Sequence, residues 1–248
     1  MRNLKLEIEY DGTNYAGWQV QNSRQSSVVS RQLKTIQETI EKTLQKILQE
    51  KIKLIASGRT DTGVHALGQV ANFKTNSAIS TEKLQRALNG LLSDDISITK
   101  IEEAALNFHS RFSAKSKIYR YIILNQKARS ALLRDRVYFY PFPLDIKLMR
   151  KTARSLTGRH DFKAFCSSHS SAKNTVRTIK SIVIKKSCYG LWATDYGLIT
   201  IDIQADGFLY NMVRRIVGRL IEVGRGKFSS HSCPTAPSSG LYLLKVAY

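Results

Sequence analysis

"NLKLEIEYDG", Asn3 to Gly12, sets Leu4, Leu6, Ile8 and Tyr10 in strict alternation with Lys5, Glu7 and Glu9. Period two is the signature of a half-buried strand, and Asp-Gly ends it in a turn. Working outward, "QNSRQSSVVS" is polar and reads as a loop. "RQLKTIQETIEKTLQKILQE" then places Leu33, Ile36, Ile40, Leu44 and Ile47 at helical spacing. "KIKLIAS" reads as a strand entering a glycine-rich loop, and "GQVANFKT" as the next strand. "STEKLQRALNGLL" is a helix with Ser80 as cap and Leu84, Ala87, Leu88 and Leu91 inward. "DISITKIEEA" returns to strand. The order β-α-β-β-α-β is that of a ferredoxin-like unit.

The second half is a looser echo. "KIYRYIIL" and "VYFYPF" read as strands, and "LDIKLMRKTARSLTG" as a helix stopped by Gly158. "TIKSIVIKKS", "YGLWATDYG" and "LITIDIQA" read as three antiparallel strands. "GFLYNMVRRIVGRLIEVG" is a helix from Phe208, ended by Gly224, and "GLYLLKVAY" is a closing strand. The expected class is α+β. Residues 1–105 form one ferredoxin-like half and residues 106–248 a second α+β half, each with an antiparallel sheet and a cleft between them.

The charge is uneven. The chain of 248 residues has 39 Lys and Arg against 19 Asp and Glu, a net +20. Between Leu106 and Lys186 stand 19 of the basic residues and only Asp135, Asp145 and Asp161. Self-repulsion on this scale points to an anionic partner. Aromatics are interleaved in the same region: Phe108, Phe112, Tyr119, Tyr121, Tyr138, Phe139 and Tyr140. Cations meet phosphates and aromatic faces stack on unpaired bases, so RNA or single strands fit better than smooth duplex DNA. Tyr121, Phe139 and Tyr140 are read as core.

Cys166, Cys188 and Cys233 are three widely spaced cysteines, neither a zinc pattern nor a disulfide framework. The start "MRNLKLEIEYDG" lacks the apolar stretch of a signal peptide, and no apolar run reaches membrane length. The expectation is a cytoplasmic protein without membrane association, or one in an organelle interior after removal of a targeting segment.

Three stretches carry candidate chemistry. In "SGRTDTGVHALGQV", Gly58 and Gly63 flank Arg59, Thr60 and Asp61, and glycines let something bulky approach the backbone closely. An arginine two residues before an aspartate can hold a phosphate while the acid acts on the attached nucleoside. The same letters also describe a surface turn in which Asp61 caps a backbone group. On the helix from Phe208, Asn211, Arg215, Arg219 and Glu222 share a polar face. Arg214 falls instead beside Tyr210, Val217 and Ile221, so it must snorkel or find a carboxylate. Asp61 is one of few acids available to it, and that pairing would keep Asp61 ionised. Third, "FHSRFSAKSKIYRY" sets Arg111, Lys115, Lys117 and Arg120 among Phe112, Tyr119 and Tyr121. Tyr119 and Tyr121 share one strand face, as core or as the lining of a cleft. His65 and His109 read as structural or phosphate-binding.

Together "GRTDTGVHA", "FHSRFSAKSKIYRY", "FLYNMVRRIVGRLIEVGRGK" and "PTAPSSGLYLLKV" resemble the tRNA pseudouridine synthase A family, with "YDGTNYAGWQVQ" and "GRHDFKAF" in agreement. The resemblance spans nearly the whole chain, in the family's order. It implies a pseudouridine synthase fold: two ferredoxin-like halves sharing an extended antiparallel sheet with a central cleft. It implies isomerisation of uridine to pseudouridine at positions 38–40 of the tRNA anticodon stem-loop, with no metal and no organic cofactor. Asp61 matches the family's aspartate nucleophile, which cleaves the glycosidic bond by attacking the sugar or by assisting its deprotonation. Tyr119 matches the tyrosine that packs on the target base, and Arg214 the arginine paired with the aspartate. Arg59 matches the arginine that helps hold the flipped base. His65, Arg111, Lys117 and Leu241 are the further substrate-binding candidates, Leu241 and Leu243 lying in the family's last apolar strand. The resemblance also implies a homodimer with one tRNA across both subunits.

The chain departs from the family in two places. "NSRQSSVVSRQLK" stands where a short turn is usual, and "FSSHSC" where a further helix is usual, with Cys233 in place of a glycine. Two other functions share parts of this pattern. A non-catalytic RNA-binding or RNA-chaperone protein would have the same charge and aromatics. A ribonuclease would use His65 and His109 as acid and base.

Overall fold

A computed structural model describes residues 1–19, 34–167, 174–191, 194–227 and 233–248. The proposed loop after Gln19, Leu33, Trp192 and most of "FSSHSC" lie outside the described residues. The chain divides into two units, Met1–Lys115 with Leu243–Tyr248, and Ser116–Tyr242.

In the first unit the alternation of Asn3–Gly12 is realised. Leu4, Leu6, Ile8 and Tyr10 of β1 (Arg2–Tyr10) are buried, and Glu9 is exposed. Helix α1 (Ile36–Leu48) buries Ile36, Ile40, Leu44 and Leu48, and Thr35 caps it by accepting the Glu38 N–H at 3.3 Å. After the two-residue β2 (Ile55–Ala56) comes β3 (His65–Thr75), then α2 (Thr81–Leu91) and β4 (Ile96–Ala104). Ser80 caps α2 as expected, accepting the Lys83 N–H at 3.3 Å. Leu91, expected inward, is 60% exposed. The chain leaves the helix there, and Leu92, extended at the C-cap, takes the buried place. β1 runs antiparallel to both β3 and β4, and β2 antiparallel to β3. Both β-α-β crossovers thus hold, and the order β4-β1-β3 with β2 on β3 is the ferredoxin-like arrangement.

The sequence boundary at residue 105 falls ten residues before the observed division. The intervening segment is tied to the first unit by a buried amide network. The Asn3 amide donates to Ala105 O at 2.9 Å and Phe108 O at 3.0 Å. Asn72 Oδ1 accepts from the Ser110 backbone and hydroxyl at 2.9 and 2.7 Å. The last residues of the chain finish the seam: Lys115 N–H donates to Ala247 O at 2.8 Å, and the Tyr248 hydroxyl to Ser110 O at 2.9 Å.

The second unit contains β5 (Ser116–Leu124), β6 (Tyr138–Phe139), α3 (Ile146–Ser155), β7 (Gly158–Asp161), β8 (Val176–Leu191), β9 (Thr194–Ala205) and α4 (Met212–Gly224). β10 (Leu241–Ala247) begins in this unit and ends in the first. Antiparallel pairing gives the order β5-β9-β8-β7, and β6 runs parallel to the end of β5. β5-α3-β8-β9-α4-β10 repeats the β-α-β-β-α-β sequence, with β5-β9-β8 standing as β1-β3-β2 do in the first unit. The architecture is therefore α+β and mostly antiparallel, as expected.

Three details differ from the sequence reading. "YGLWATDYG" is no separate strand but the end of β8 and the start of β9, in register from Tyr189 opposite Tyr196 to Leu191 opposite Thr194. The four-residue β7 was too short to carry a period. Helix α4 starts at Met212 rather than Phe208, because Asn211 adopts a left-handed backbone (φ 60°) and interrupts the run.

Buried phenols set an alkaline limit. Burial pushes the Tyr10 hydroxyl above its usual value, and burial, with Asp95 close by, pushes Tyr15 up to about 12. The Tyr15 hydroxyl donates to Asp95 at 2.7 Å. These groups fold as neutral phenols, so their contribution is complete below the unfolded value near 10 and is lost as pH rises through the folded one. Unfolding by urea should therefore show stability falling between pH 10 and pH 12, with Tyr15→Phe reducing the slope.

Candidate active site

Asp61 sits in the turn between β2 and β3, half-buried, with Arg59 exposed two residues earlier. The loop is pinned on both sides of the carboxylate. Thr60 Oγ1 shares a buried 2.8 Å hydrogen bond with the Tyr10 hydroxyl, and Thr60 O accepts the Trp18 N–H at 3.0 Å. Val64 N–H closes the turn onto Asp61 O at 3.1 Å, over Gly63 at φ 74°. Upstream, Ser57 donates to Gln69 Oε1 at 2.8 Å, and the Gln69 amide to Gly58 O at 2.9 Å. The glycines let the backbone bend, and the polar bonds then hold it, so the acid is fixed rather than mobile. Gly17, at φ 89°, lies against this backbone.

His65 is 2% exposed, its Nδ1 3.1 Å from Asp11 Oδ1 and 3.2 Å from the Gly12 nitrogen. It buttresses the turn after β1, the structural role that the sequence allowed it beside phosphate binding.

Arg111 is exposed at the tip of the clamped 105–115 segment, its guanidinium carbon 5.7 Å from the Phe112 ring centre. Phe112 is 77% exposed and packs on the His109 ring at 4.2 Å.

In the second unit, Lys117, Tyr119 and Tyr121 share one face of β5 by strand alternation. Lys117 is half-buried. Tyr119 is 8% exposed, its ring edge-on to Phe208 at 5.0 Å. Tyr121 is fully buried, and its hydroxyl donates to Pro237 O at 2.8 Å. Arg120 points to the other face and is held by Asp202 in a two-pronged pair, Nε to Oδ1 at 2.7 Å and Nη2 to Oδ2 at 2.8 Å. The pair raises the affinity of Arg120 for its proton. It also braces β5 against β9. Arg120→Ala should cost about 1 kcal/mol. Adding Asp202→Ala should cost less than the sum of the single changes, read in a double-mutant cycle by urea unfolding.

Arg214 does not merely snorkel. Its Nε donates to Ala236 O at 2.7 Å and its Nη1 to Asn211 Oδ1 at 3.0 Å, which together set the plane of the guanidinium. Ala236 N–H returns a bond to Arg214 O at 3.1 Å. The polar face of α4 is used internally: Asn211 donates to Ser167 Oγ at 2.9 Å and Arg215 to Cys166 O at 2.8 Å. Leu241 and Leu243 are buried, as an apolar strand requires.

Asp61, Arg59, His65 and Arg111 thus belong to the first unit, and Lys117, Tyr119, Arg214 and Leu241 to the second. Sequence reasoning missed Trp18 and Gln69 and the positioning bonds of Thr60 and Asn211 around these residues, and it missed the hold of Asp202 on Arg120. Tyr10 was legible only as core, since alternation says nothing of its hydroxyl. Among the described residues no group of three His, Cys, Asp or Glu stands together to hold a metal ion. No helix there is long and apolar enough to cross a membrane.

The chain matches the family model described as tRNA pseudouridine synthase over residues 7–113 and 152–248. It is 46% identical over 261 residues to the tRNA pseudouridine synthase A of Acetivibrio thermocellus, covering 100% of both chains. It is 44% identical over 263 residues to that of Caldicellulosiruptor bescii and over 263 residues to that of Clostridium botulinum, again covering 100% of each.

Proposed function

Because the chain belongs to the tRNA pseudouridine synthase family, an isomerase of uridine in tRNA, we propose that it acts at positions 38–40 of the anticodon stem-loop with Asp61 as the catalytic group. The observation that carries the assignment to Asp61 is the immobilised loop: a half-exposed carboxylate whose neighbours on both sides are hydrogen-bonded into the fold.

The reaction breaks the N1–C1′ bond of uridine, turns the uracil and joins C5 to C1′; the proton released from C5 is balanced by one taken up at N1. Atoms are conserved, so nothing is oxidised or reduced. An ionised carboxylate at the sugar starts the cleavage by attacking it or by assisting its deprotonation. Arg214 keeps Asp61 ionised and oriented. Its preset guanidinium plane supports that role, since two bonds already restrict the side chain. Tyr119 packs on the uracil, and Arg59, exposed beside the acid, helps hold the flipped base or the phosphate of the flipped nucleotide. Lys117 and Arg111 contact phosphates, and Leu241 gives an apolar wall. A homodimer binding one tRNA across both subunits, in the cytoplasm, completes the reading.

The test uses tRNA labelled with hydrogen isotope at uridine C5. Release of the label from intact strands, with pseudouridine mapped to positions 38–40, is the expected result. Tight binding with no release would replace this reading with that of a non-catalytic RNA-binding protein. Affinity should also fall steeply with ionic strength, about tenfold or more between 50 and 200 mM salt, because several phosphates are neutralised. Titration of tRNA binding at a series of salt concentrations measures it.

A further inference from the structure

Part of the basic excess of the middle of the chain is gathered on a single helix. Helix α3 spans ten residues, Ile146–Ser155, and exposes Lys147, Arg150, Lys151 and Arg154. Its buried residues, Met149 and Ala153, fix which way it faces. At 100° per residue, Lys147, Lys151 and Arg154 fall within an arc of about 60° opposite Met149. Arg150 lies on the flank, its Nε and Nη2 donating to Ile184 O at 3.0 and 2.9 Å, which locks the helix to β8. Arg159 and His160, both exposed, follow on β7. Among the described residues none of Lys147, Lys151 or Arg154 has a carboxylate partner. Asp145, the nearest acid in sequence, is engaged as the N-cap, accepting the Lys147 and Leu148 N–H groups at 2.8 and 3.0 Å.

Helix stability does not account for this pattern. Lys147 occupies the first turn, where the helix dipole favours an acid. Lys147 and Lys151 are like charges four apart, which repel. Only Arg154, in the last turn, suits the dipole. The three cations span about 10 Å of helix axis. Each strand of a duplex places a phosphate on the order of every 3 Å of its axis, so such a row meets neighbouring phosphates.

We propose that this face of α3 is a phosphate track for a base-paired stem of the RNA substrate, formed by residues other than those assigned to the chemistry. The inference rests on the tRNA reading above. It adds a surface that sets affinity and leaves the chemical step untouched.

The test is the full chain carrying Lys147→Glu, Lys151→Glu and Arg154→Glu, alongside the milder Lys147→Gln, Lys151→Gln, Arg154→Gln protein. All three positions are exposed, and an unchanged thermal midpoint verifies folding. Binding to intact tRNA is measured by fluorescence anisotropy, independently of turnover, over a range of salt. The triple Glu protein should bind at least about tenfold more weakly, with a salt slope shallower by about 2. Its KM should rise in step while kcat stays within twofold, and the Gln protein should fall between it and wild type. Unchanged affinity and salt slope overturn the proposal. So does loss confined to binding of phosphatidylserine vesicles, which would assign the face to a membrane surface. If wild type binds tRNA in an α3-dependent way but converts none, the isomerase reading fails and the docking surface stands.

Discussion

Asp61→Asn should lower the rate of pseudouridine formation by about 10⁴-fold or more, while tRNA affinity stays within a few-fold of wild type. The amide has the shape of the carboxylate without its charge, so it neither attacks a sugar carbon nor takes a proton at neutral pH. Removing the group that performs covalent or base chemistry costs orders of magnitude more than removing one that binds. The fold should tolerate the change. The loop is held through Thr60, the Asp61 and Thr60 carbonyls and Gln69, none of which requires the Asp61 charge. Single-turnover label release, with affinity measured in parallel, separates the two effects. An Asp61→Asn protein that retains a tenth of the wild-type rate would remove Asp61 from the centre of the reaction.

A large loss of stability should follow from Gly17→Ala. Gly17 has φ 89°, and a Cβ there would stand 2.5 Å from Thr60 O and 2.9 Å from the Asp61 carbonyl carbon. Left-handed backbone costs an L-residue about 1–2 kcal/mol. Forcing apart a packed contact costs about 1–3 kcal/mol more, and here the neighbour is backbone that cannot rotate away. A loss of about 3 kcal/mol is expected, with turnover falling alongside because the displaced atoms belong to the Asp61 loop. Gly90 is the internal control. Nothing lies within 4 Å of its Cβ position on α2, so Gly90→Ala should raise stability by about 0.5–1 kcal/mol. Urea unfolding of the two variants reads both signs in one experiment.

Legibility in the sequence follows from what repeats. β1, α1 and α2 have a period, and their buried faces emerge where alternation and helical spacing put them, with Leu91 missed because a helix end has no period left. β2 was legible within "KIKLIAS", though only two of its residues pair, whereas β7 is too short to declare itself, and the start of α4 depends on one left-handed Asn211 that spacing does not reveal. At the site, residue types and order pointed to Asp61, Tyr119, Arg214 and Arg59. The burial of His65 and the capture of Arg120 by Asp202 are products of tertiary pairing between residues far apart in the chain, and no local pattern encodes them. The clamp formed by Asn3, Asn72 and Ser110 is of the same kind. It decides where the first unit stops, yet its members are separate polar letters in strands and a loop.

The seam made by Lys115, Ala247, Ser110 and Tyr248 imposes an order on biosynthesis. A ribosome makes residues 243–248 after the whole of the second unit, so the amino-terminal unit must wait, one strand short, until then. A nascent chain stalled before Leu243 leaves that unit with an open edge, exposed to proteases and to stray strand pairing.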